Sequence, residues 1–186
     1  MIFQTATTTT HTSNIERVLR VRNSAETLER FEEYREMVKE RAHCNAYMYH
    51  PRSVVDGNEV LRIYRTTMNC CSRKQNKVSE LCYNLKCGVC RMIRTGFDTE
   101  ATKKTGIQLN ADCETLGDCG MDSVDKGENV KRAVVVCRVI AGTFVNTVEG
   151  GYDSSVGGAG GLCSKFEHLF VRNPNAVLPC FVIVFA

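Results

Sequence analysis

The segment 133–140 (AVVVCRVI) constrains the fold more than any other, because seven of its eight residues are apolar. A strand with one face in water alternates apolar and polar residues, whereas a strand buried on both faces reads as a nearly continuous apolar run. We therefore expect 133–140 to be a central strand of a sheet. A chain of 186 residues can bury one substantial core around such a strand.

The clearest helix signal covers residues 24–42. Asn23 is a suitable N-cap, and Glu26 three residues later can complete a capping box. An apolar stripe then follows at helical spacing, formed by Leu28, Phe31, Tyr34, Val38 and Ala42. The stripe predicts a helix that packs against a sheet.

The rest of the sequence alternates short strands and loops. We expect strands at 60–64, 106–109, 166–171 and 179–185, a short helix at 89–96, a break at 50–51, a turn at 56–57, and loops at 72–86, 112–129 and 150–161. A helix followed mostly by strands is typical of an α+β domain with a mainly antiparallel sheet. Residues 1–14 are expected to be a flexible tail, and 15–186 a single domain.

The cysteine content indicates the compartment. There are eleven cysteines, but the first 14 residues lack the basic and apolar regions of a signal peptide. No segment approaches the roughly 18 apolar residues that span a bilayer. We therefore expect a reducing compartment, the nucleus or cytoplasm, with no membrane association. The net charge of +3 is too small to indicate a polyanionic partner by itself.

Five of the cysteines are clustered and form a candidate metal site. The spacing of Cys87 and Cys90 lets two thiolates meet one tetrahedral ion, and Cys82 with either Cys70 or Cys71 would complete a four-thiolate zinc site. Free thiols beside the core, or a disulfide in an oxidising compartment, are the alternatives. No C-x₂₋₄-C is paired with H-x₃₋₅-H, so a DNA-reading zinc finger is not supported.

Several segments, taken in order, carry a resemblance to a known family. They are 61–67 (LRIYRTT), 106–109 (GIQL), 133–142 (AVVVCRVIAG), 152–154 (YDS) and 173–183 (NPNAVLPCFVI). Their order resembles the catalytic domain of the poly(ADP-ribose) polymerase (PARP) superfamily, which implies an ADP-ribosyltransferase-like fold with a split, mainly antiparallel sheet. Residues 31–39, 56–67, 87–97 and 135–142 also resemble a plant group of predicted proteins labelled C2H2-like zinc finger.

The resemblance implies that the family's chemical groups are replaced in this chain. Tyr64 stands where the family has the histidine that binds the ribose of NAD, and Arg65 stands at the adjacent glycine. Gln108 replaces the tyrosine that stacks on nicotinamide, and Cys180 replaces the glutamate that stabilises the transition state. Thr66 is retained, as is Ser154 of the YDS element. Positions 64, 65, 66, 108 and 154 are accordingly the candidate cofactor-binding residues.

Three functions follow from these patterns. The first is a catalytically inactive PARP-like domain that acts as a binding or regulatory module, with a protein partner and with NAD or an ADP-ribose fragment as conceivable ligands. The second is a mono-ADP-ribosyltransferase with an atypical site. The third is a zinc-dependent nucleic-acid-binding protein, favoured by the basic residues near the cysteines (Arg73, Lys74, Lys77, Arg91 and Arg94), although such a run is also typical of a solvated face.

Overall fold

The structure is a computed structural model that describes residues 15–44, 50–70, 81–97, 100–111, 130–142, 144–145, 154–157 and 168–186. In chain order the elements are β1 Ile15–Arg20, α1 Ala25–Cys44, α2 Pro51–Asp56, β2 Glu59–Met68, α3 Gly88–Thr95, α4 Glu100–Thr105, β3 Ile107–Asn110, β4 Lys131–Ile140, β5 Phe144–Val145, β6 Ser154–Gly157, β7 His168–Val171 and β8 Val177–Phe185. A short 3₁₀ turn, Pro174–Ala176, precedes β8.

The strands form a single sheet in the order β1-β8-β4-β2-β3-β7-β6-β5. Neighbouring strands are antiparallel, except that β5 and β6 are parallel. The two halves of the sheet meet where β2 and β3 are paired through Ile63 and Asn110. This narrow junction makes the sheet a split one, and the predicted α+β class with a mainly antiparallel split sheet is confirmed.

The apolar run 133–140 lies where its composition predicts. It forms most of β4, which is hydrogen-bonded to β8 on one side and to β2 on the other. Val135 and Val139 face the larger core, whereas Val134 and Val136 face a smaller cluster on the opposite side of the sheet. Burial on both faces explains why the alternation of apolar and polar residues is missing.

Helix α1 confirms the predicted helix but corrects its cap and its stripe. Ser24, not Asn23, is the N-cap, because the amide of Thr27 donates to Ser24 Oγ at 3.1 Å. Asn23 instead donates from Nδ2 to the carbonyl of Pro179 at 2.8 Å and ties the helix start to β8. Phe31, Tyr34, Val38 and Ala42 are buried as predicted, but Leu28 is 42% exposed.

Several elements escaped the sequence analysis. The segment 15–20 forms β1, a pairing that its short and partly charged sequence did not indicate. Residues 154–157 form β6 inside a predicted loop, and α4 lies before β3. His50-Pro51 begins α2 rather than breaking the chain, since His50 caps the amide of Arg52 and Pro51 occupies the first turn. The loop predicted at 112–129 lies outside the described residues.

Glu59 joins three elements through two arginines. Its carboxylate accepts two hydrogen bonds from Arg138 of β4, at 2.6 and 2.9 Å, and it also contacts Arg35 of α1. Both guanidinium groups lie over the ring of Phe31, at 5.1 and 5.2 Å from its centroid. Burial disfavours the charge of Glu59, but the hydrogen bonds and charges of Arg138 and Arg35 outweigh it and hold its pKa below the ordinary value of 4.5.

We predict that Glu59→Gln lowers the free energy of unfolding by about 2 kcal/mol at neutral pH, because two arginines lose their shared carboxylate. A lowered native pKa gives stability that is present above the unfolded-state value and lost as the pH falls through the folded-state pKa. The difference between wild type and variant should therefore shrink below pH 4.5. Urea denaturation across this range measures it, with the exposed Glu36→Gln as control, and a pH-independent difference would contradict the prediction.

Among the described residues, the helices are too short or too polar for any of them to cross a bilayer.

Candidate metal centre and adjoining basic cavity

Four thiols converge between the end of β2 and the start of α3. The Sγ atoms of Cys70, Cys82, Cys87 and Cys90 all lie within 4.8 Å of one another. The sulfur of Cys70 is 3.4 Å from that of Cys90 and 3.7 Å from that of Cys87. Four thiolates bound to one tetrahedral ion at about 2.3 Å have sulfurs roughly 3.8 Å apart, so this cluster has the dimensions of a metal centre.

Of the two adjacent cysteines that follow β2, the structure describes one. Cys70 joins the cluster, and Cys71 lies outside the described residues. Cys87 and Cys90 are buried, at 0% and 1% exposed, whereas Cys70 and Cys82 are half-buried. A four-sulfur site without an open carboxylate or histidine position is typical of a structural metal.

The local sequence explains how the thiols reach one another. Asn84 makes a tight turn before α3, with its side chain accepting from the amide of Lys86 at 2.9 Å and its carbonyl accepting from Cys87 at 3.0 Å. Cys87 then stands just before the helix and Cys90 in its first turn. Arg94 reaches back to the carbonyl of Cys82 at 3.0 Å, and its guanidinium lies 4.5 Å from the centroid of the Tyr83 ring.

The thiols differ in their readiness to ionise. Burial disfavours the thiolate of Cys87, but amide donors of Asn69 and Cys90 and the neighbouring thiols outweigh it and lower its pKa to about 7. Burial raises the pKa of Cys90 to about 11 and that of Cys70 further still, since both lie beside Cys87. One sulfur therefore carries negative charge first, and a divalent cation would favour ionisation of the others.

Gly88, the first residue of α3, lies between Cys87 and Cys90 and lets the helix lie directly on β2. A Cβ atom at this position would stand 2.1 Å from Thr66 Oγ1 and 3.4 Å from the amide nitrogen of Thr67. The hydroxyl of Thr67 donates to the carbonyl of Lys86 at 2.9 Å. The thiol cluster is thus fixed to the strand that carries Tyr64 and Arg65.

A cavity of about 380 Å³ opens beside this contact between β2 and α3. Its lining includes three cationic residues and three hydroxyl-bearing ones: Arg65, Lys86, Arg91, Tyr64, Thr66 and Thr67. Three of the predicted cofactor-binding residues are therefore brought to one cavity. The predicted residues Gln108 and Cys180 are not among the described residues that line it.

Tyr64 takes part in the core as well as in the cavity. Its ring meets that of Phe97 edge to face, with centroids 5.0 Å apart, and it packs against the larger core. Burial raises the pKa of its phenol, although the charge of Arg91 acts in the opposite direction. Arg65 follows on the other face of β2, since it pairs with Val134 of the smaller cluster.

Gln108 and Ser154 lie in the other half of the sheet. Gln108 of β3 is exposed and pairs with Phe170 of β7. Ser154 begins β6, where it pairs with Val171 of β7. Their partners, Phe170 and Val171, are adjacent residues of β7, and β7 lies between β3 and β6.

Cys180 lies at the irregularity of β8, where the pairing with β4 shifts by one residue. Its thiol donates to the carbonyl of Leu178 at 3.4 Å. Burial raises its pKa, and Glu59 acts in the same direction, while Arg138 opposes the shift. The buried thiol of Cys137, on β4, is electrostatically coupled to both Cys180 and Tyr64 and lies between their strands.

Comparison with known proteins identifies the architecture. No protein-family model matches the chain, and no curated protein matches its sequence. Among solved structures, the chain is similar to the PARP domain of Arabidopsis RADICAL-INDUCED CELL DEATH1, with a TM-score of 0.54, 20% identity, and coverage of 92% of this chain and 86% of that one. The fold is that of a PARP domain. The predicted fold is confirmed, whereas the grouping with plant C2H2-like zinc finger proteins stays a prediction.

On this PARP fold, some contributors to the site were not found from the sequence. Lys86 and Leu85 line the cavity from the turn before α3, and Val130 lines it from the start of β4. Asn84 and Gly88 shape the site without carrying its charge. Two sequence signals were available, the turn-forming Asn84 and the glycine inside C-x-x-C. Asn84 indicates a tight turn, and the glycine indicates that the backbone passes close to a neighbouring element.

Proposed function

We propose that this PARP-fold domain is a non-catalytic binding or regulatory module, stabilised by a structural zinc ion at the four cysteines. One observation carries the proposal. The position at which the resemblance places a carboxylate holds Cys180, a half-buried thiol that donates to a backbone carbonyl and whose pKa is raised. A neutral thiol supplies no negative charge to a developing oxocarbenium ion.

A neighbouring carboxylate, that of Glu59, is a poor substitute for the family's glutamate. Glu59 is close enough to raise the pKa of Cys180. Its charge, however, is shared between Arg138 and Arg35, and it holds α1 to the sheet. A carboxylate that is neutralised by two guanidinium groups interacts only weakly with the positive charge that develops in the transition state.

The other replaced positions support the same conclusion. Tyr64 packs against Phe97 in the core, so its position contributes to stability. Gln108 is exposed and offers an amide in place of an aromatic face. Removing one preorganised electrostatic group commonly costs about 10²–10³ in rate, and here several are replaced together.

Zinc is the metal that best fits the cluster, since thiolates in tetrahedral geometry select it in a reducing compartment such as the nucleus or cytoplasm. Its function is structural, because all four positions are thiols and none is left open to a substrate. A protein partner is the expected target of such a module.

We predict that the purified protein transfers no ADP-ribose. Incubation with labelled NAD should leave wild type and Cys180→Ala both at the level of a protein-free blank, and millimolar NAD should not shift the melting temperature. Label above the blank in either protein would contradict the proposal. Label in wild type that is absent from Cys180→Ala would instead support the alternative of an atypical mono-ADP-ribosyltransferase.

A further inference from the structure

We propose that the four-cysteine cluster is a redox switch, in which a hydroperoxide converts Cys70 and Cys90 to a disulfide and the cluster releases its zinc ion. The proposal deepens the proposed function and rests on it, because it names a regulation of the same metal site. Two observations carry it: the unequal burial of the four cysteines and the distances between their sulfurs.

Unequal burial selects the sulfur that reacts first. Cys87 and Cys90 are 0% and 1% exposed, whereas Cys70 and Cys82 are half-buried. A peroxide that arrives from solvent therefore meets Cys70 or Cys82 before the other two. The thiolate is the form of cysteine that attacks peroxide, and a cysteine that binds zinc is held as a thiolate. The cluster thus presents reactive sulfur to solvent.

Proximity selects the sulfur that completes the bond. The sulfur of Cys70 lies 3.4 Å from that of Cys90 and 3.7 Å from that of Cys87. The sulfurs of a disulfide are about 2.0 Å apart, so the nearer pair must close by about 1.4 Å. Cys70 follows the end of β2 and Cys90 lies in the first turn of α3. The disulfide therefore joins two elements that already pack on each other at Gly88.

The reaction balances with one hydroperoxide and two protons. The thiolate of Cys70 attacks the outer oxygen and the O–O bond breaks, and the departing hydroxide or alkoxide takes up a proton. The thiolate of Cys90 then attacks the sulfenic acid, so that the S–S bond forms, the S–O bond breaks and a second hydroxide takes up a proton. The two sulfurs lose two electrons in total, and the peroxide gains them.

The disulfide dismantles the metal site without separating β2 from α3. Only the thiolates of Cys82 and Cys87 remain from the original four, and two ligands do not hold zinc in a structural site. Cys82 then loses its link to α3 through the metal, although Arg94 still donates to its carbonyl at 3.0 Å.

The freed turn is an exposed one. It carries Tyr83 and Leu85, which are 83% and 82% exposed. Oxidation therefore loosens an apolar surface turn while the two elements beside it stay joined. Reduction of the disulfide by a small thiol restores the four thiolates, so the switch is reversible.

Treatment of the full, zinc-loaded chain with hydrogen peroxide tests the proposal. We expect one zinc ion to be released for each disulfide formed, a Cys70–Cys90 link in the peptide map, and renewed zinc binding after reduction. The map is repeated on Cys71→Ser, so that the link is assigned to Cys70 and not to its neighbour. After oxidation, the amides of 82–87 should exchange hydrogen faster, while those of 133–140 should not change.

Matched histidine variants locate the reacting pair. Histidine binds zinc but forms no disulfide, and three cysteines with one histidine make a common structural site. Cys70→His should therefore keep zinc and release it to peroxide about tenfold more slowly or less. Cys82→His, and Cys44→Ser at an exposed thiol outside the cluster, should release it at the wild-type rate. Should a variant fail to fold, the wild-type peptide map decides the question by itself.

The outcomes separate this proposal from the proposed function. Zinc retained under peroxide, a link between other cysteines, or equal protection by the two histidine variants would overturn the switch and leave the non-catalytic module intact. Consumption of NAD by a protein with the expected Cys70–Cys90 link would overturn the non-catalytic module and leave the switch standing. Protein purified without zinc would overturn the structural metal and this proposal with it.

Discussion

Replacing Cys90 by serine is expected to abolish stoichiometric zinc binding and to lower the free energy of unfolding by about 3 kcal/mol. Cys90 is buried and its sulfur lies 3.4 Å from that of Cys70, so the remaining three thiols cannot close a tetrahedral site. Metal binding to the folded state contributes directly to folding free energy. In a chain of this size the loss corresponds to a fall of about 6–12 °C in melting temperature.

Metal analysis of the purified protein and urea denaturation measure the two effects. Cys44→Ser is the matched control, because Cys44 is an exposed free thiol outside the cluster. A strong chelator should destabilise wild type about as much as the substitution does and should leave Cys90→Ser unaffected. Wild-type protein that contains no zinc, or that is indifferent to the chelator, would refute a structural metal.

Gly88→Ala is expected to destabilise the domain by about 3 kcal/mol, although alanine is the better helix former. The new Cβ would stand 2.1 Å from Thr66 Oγ1, so the side chain of Thr66 must turn away or α3 must move off β2. Overpacking of this kind commonly costs about 1–3 kcal/mol, and here both partners belong to regular elements. Urea denaturation measures the loss of stability, and the zinc content of the purified variant shows whether the cysteines have been displaced.

A double-mutant cycle gives this prediction a sharp control. Thr66→Ala removes the clashing oxygen, after which the contacts left around the new Cβ are at 3.4 Å. The double variant Gly88→Ala/Thr66→Ala should therefore lose less unfolding free energy than the two single variants lose when their losses are added. We expect a difference of about 1–2 kcal/mol. Additive effects would mean that the close approach of α3 to β2 does not limit the packing.

The elements found from the sequence are those with a strong local pattern. The unbroken apolar run 133–140 required a strand buried on both faces, and β4 is central. The stripe of α1 predicted a helix, although Leu28 departs from the buried face and is 42% exposed. By contrast, β1 is defined by its pairing with β8, whose paired residues are 161 to 170 positions apart, so no local pattern records the contact.

The metal cluster was only half determined by sequence. The gap between Cys87 and Cys90 predicted two ligands, because two residues of spacing suffice to bring two sulfurs to one ion. The meeting of Cys70 and Cys82 with this pair, all four sulfurs lying within 4.8 Å of one another, depended on the end of β2 and on the turn at Asn84. The sequence named these cysteines as candidates, but spacing alone could not supply the distances between their sulfurs.

By itself, the sequence determined an α+β domain with a central apolar strand, a cysteine-rich segment, and chemical groups at 64, 65, 108 and 180 that differ from those of the family it resembles. Only the tertiary structure decided that Arg65, Lys86 and Arg91 share one cavity and that Cys180 is separated from Tyr64 by β4. The physical reason is that side-chain identity and local periodicity are properties of single residues and of short segments. Distances between strands arise instead from the register of the sheet, which the whole core sets at once.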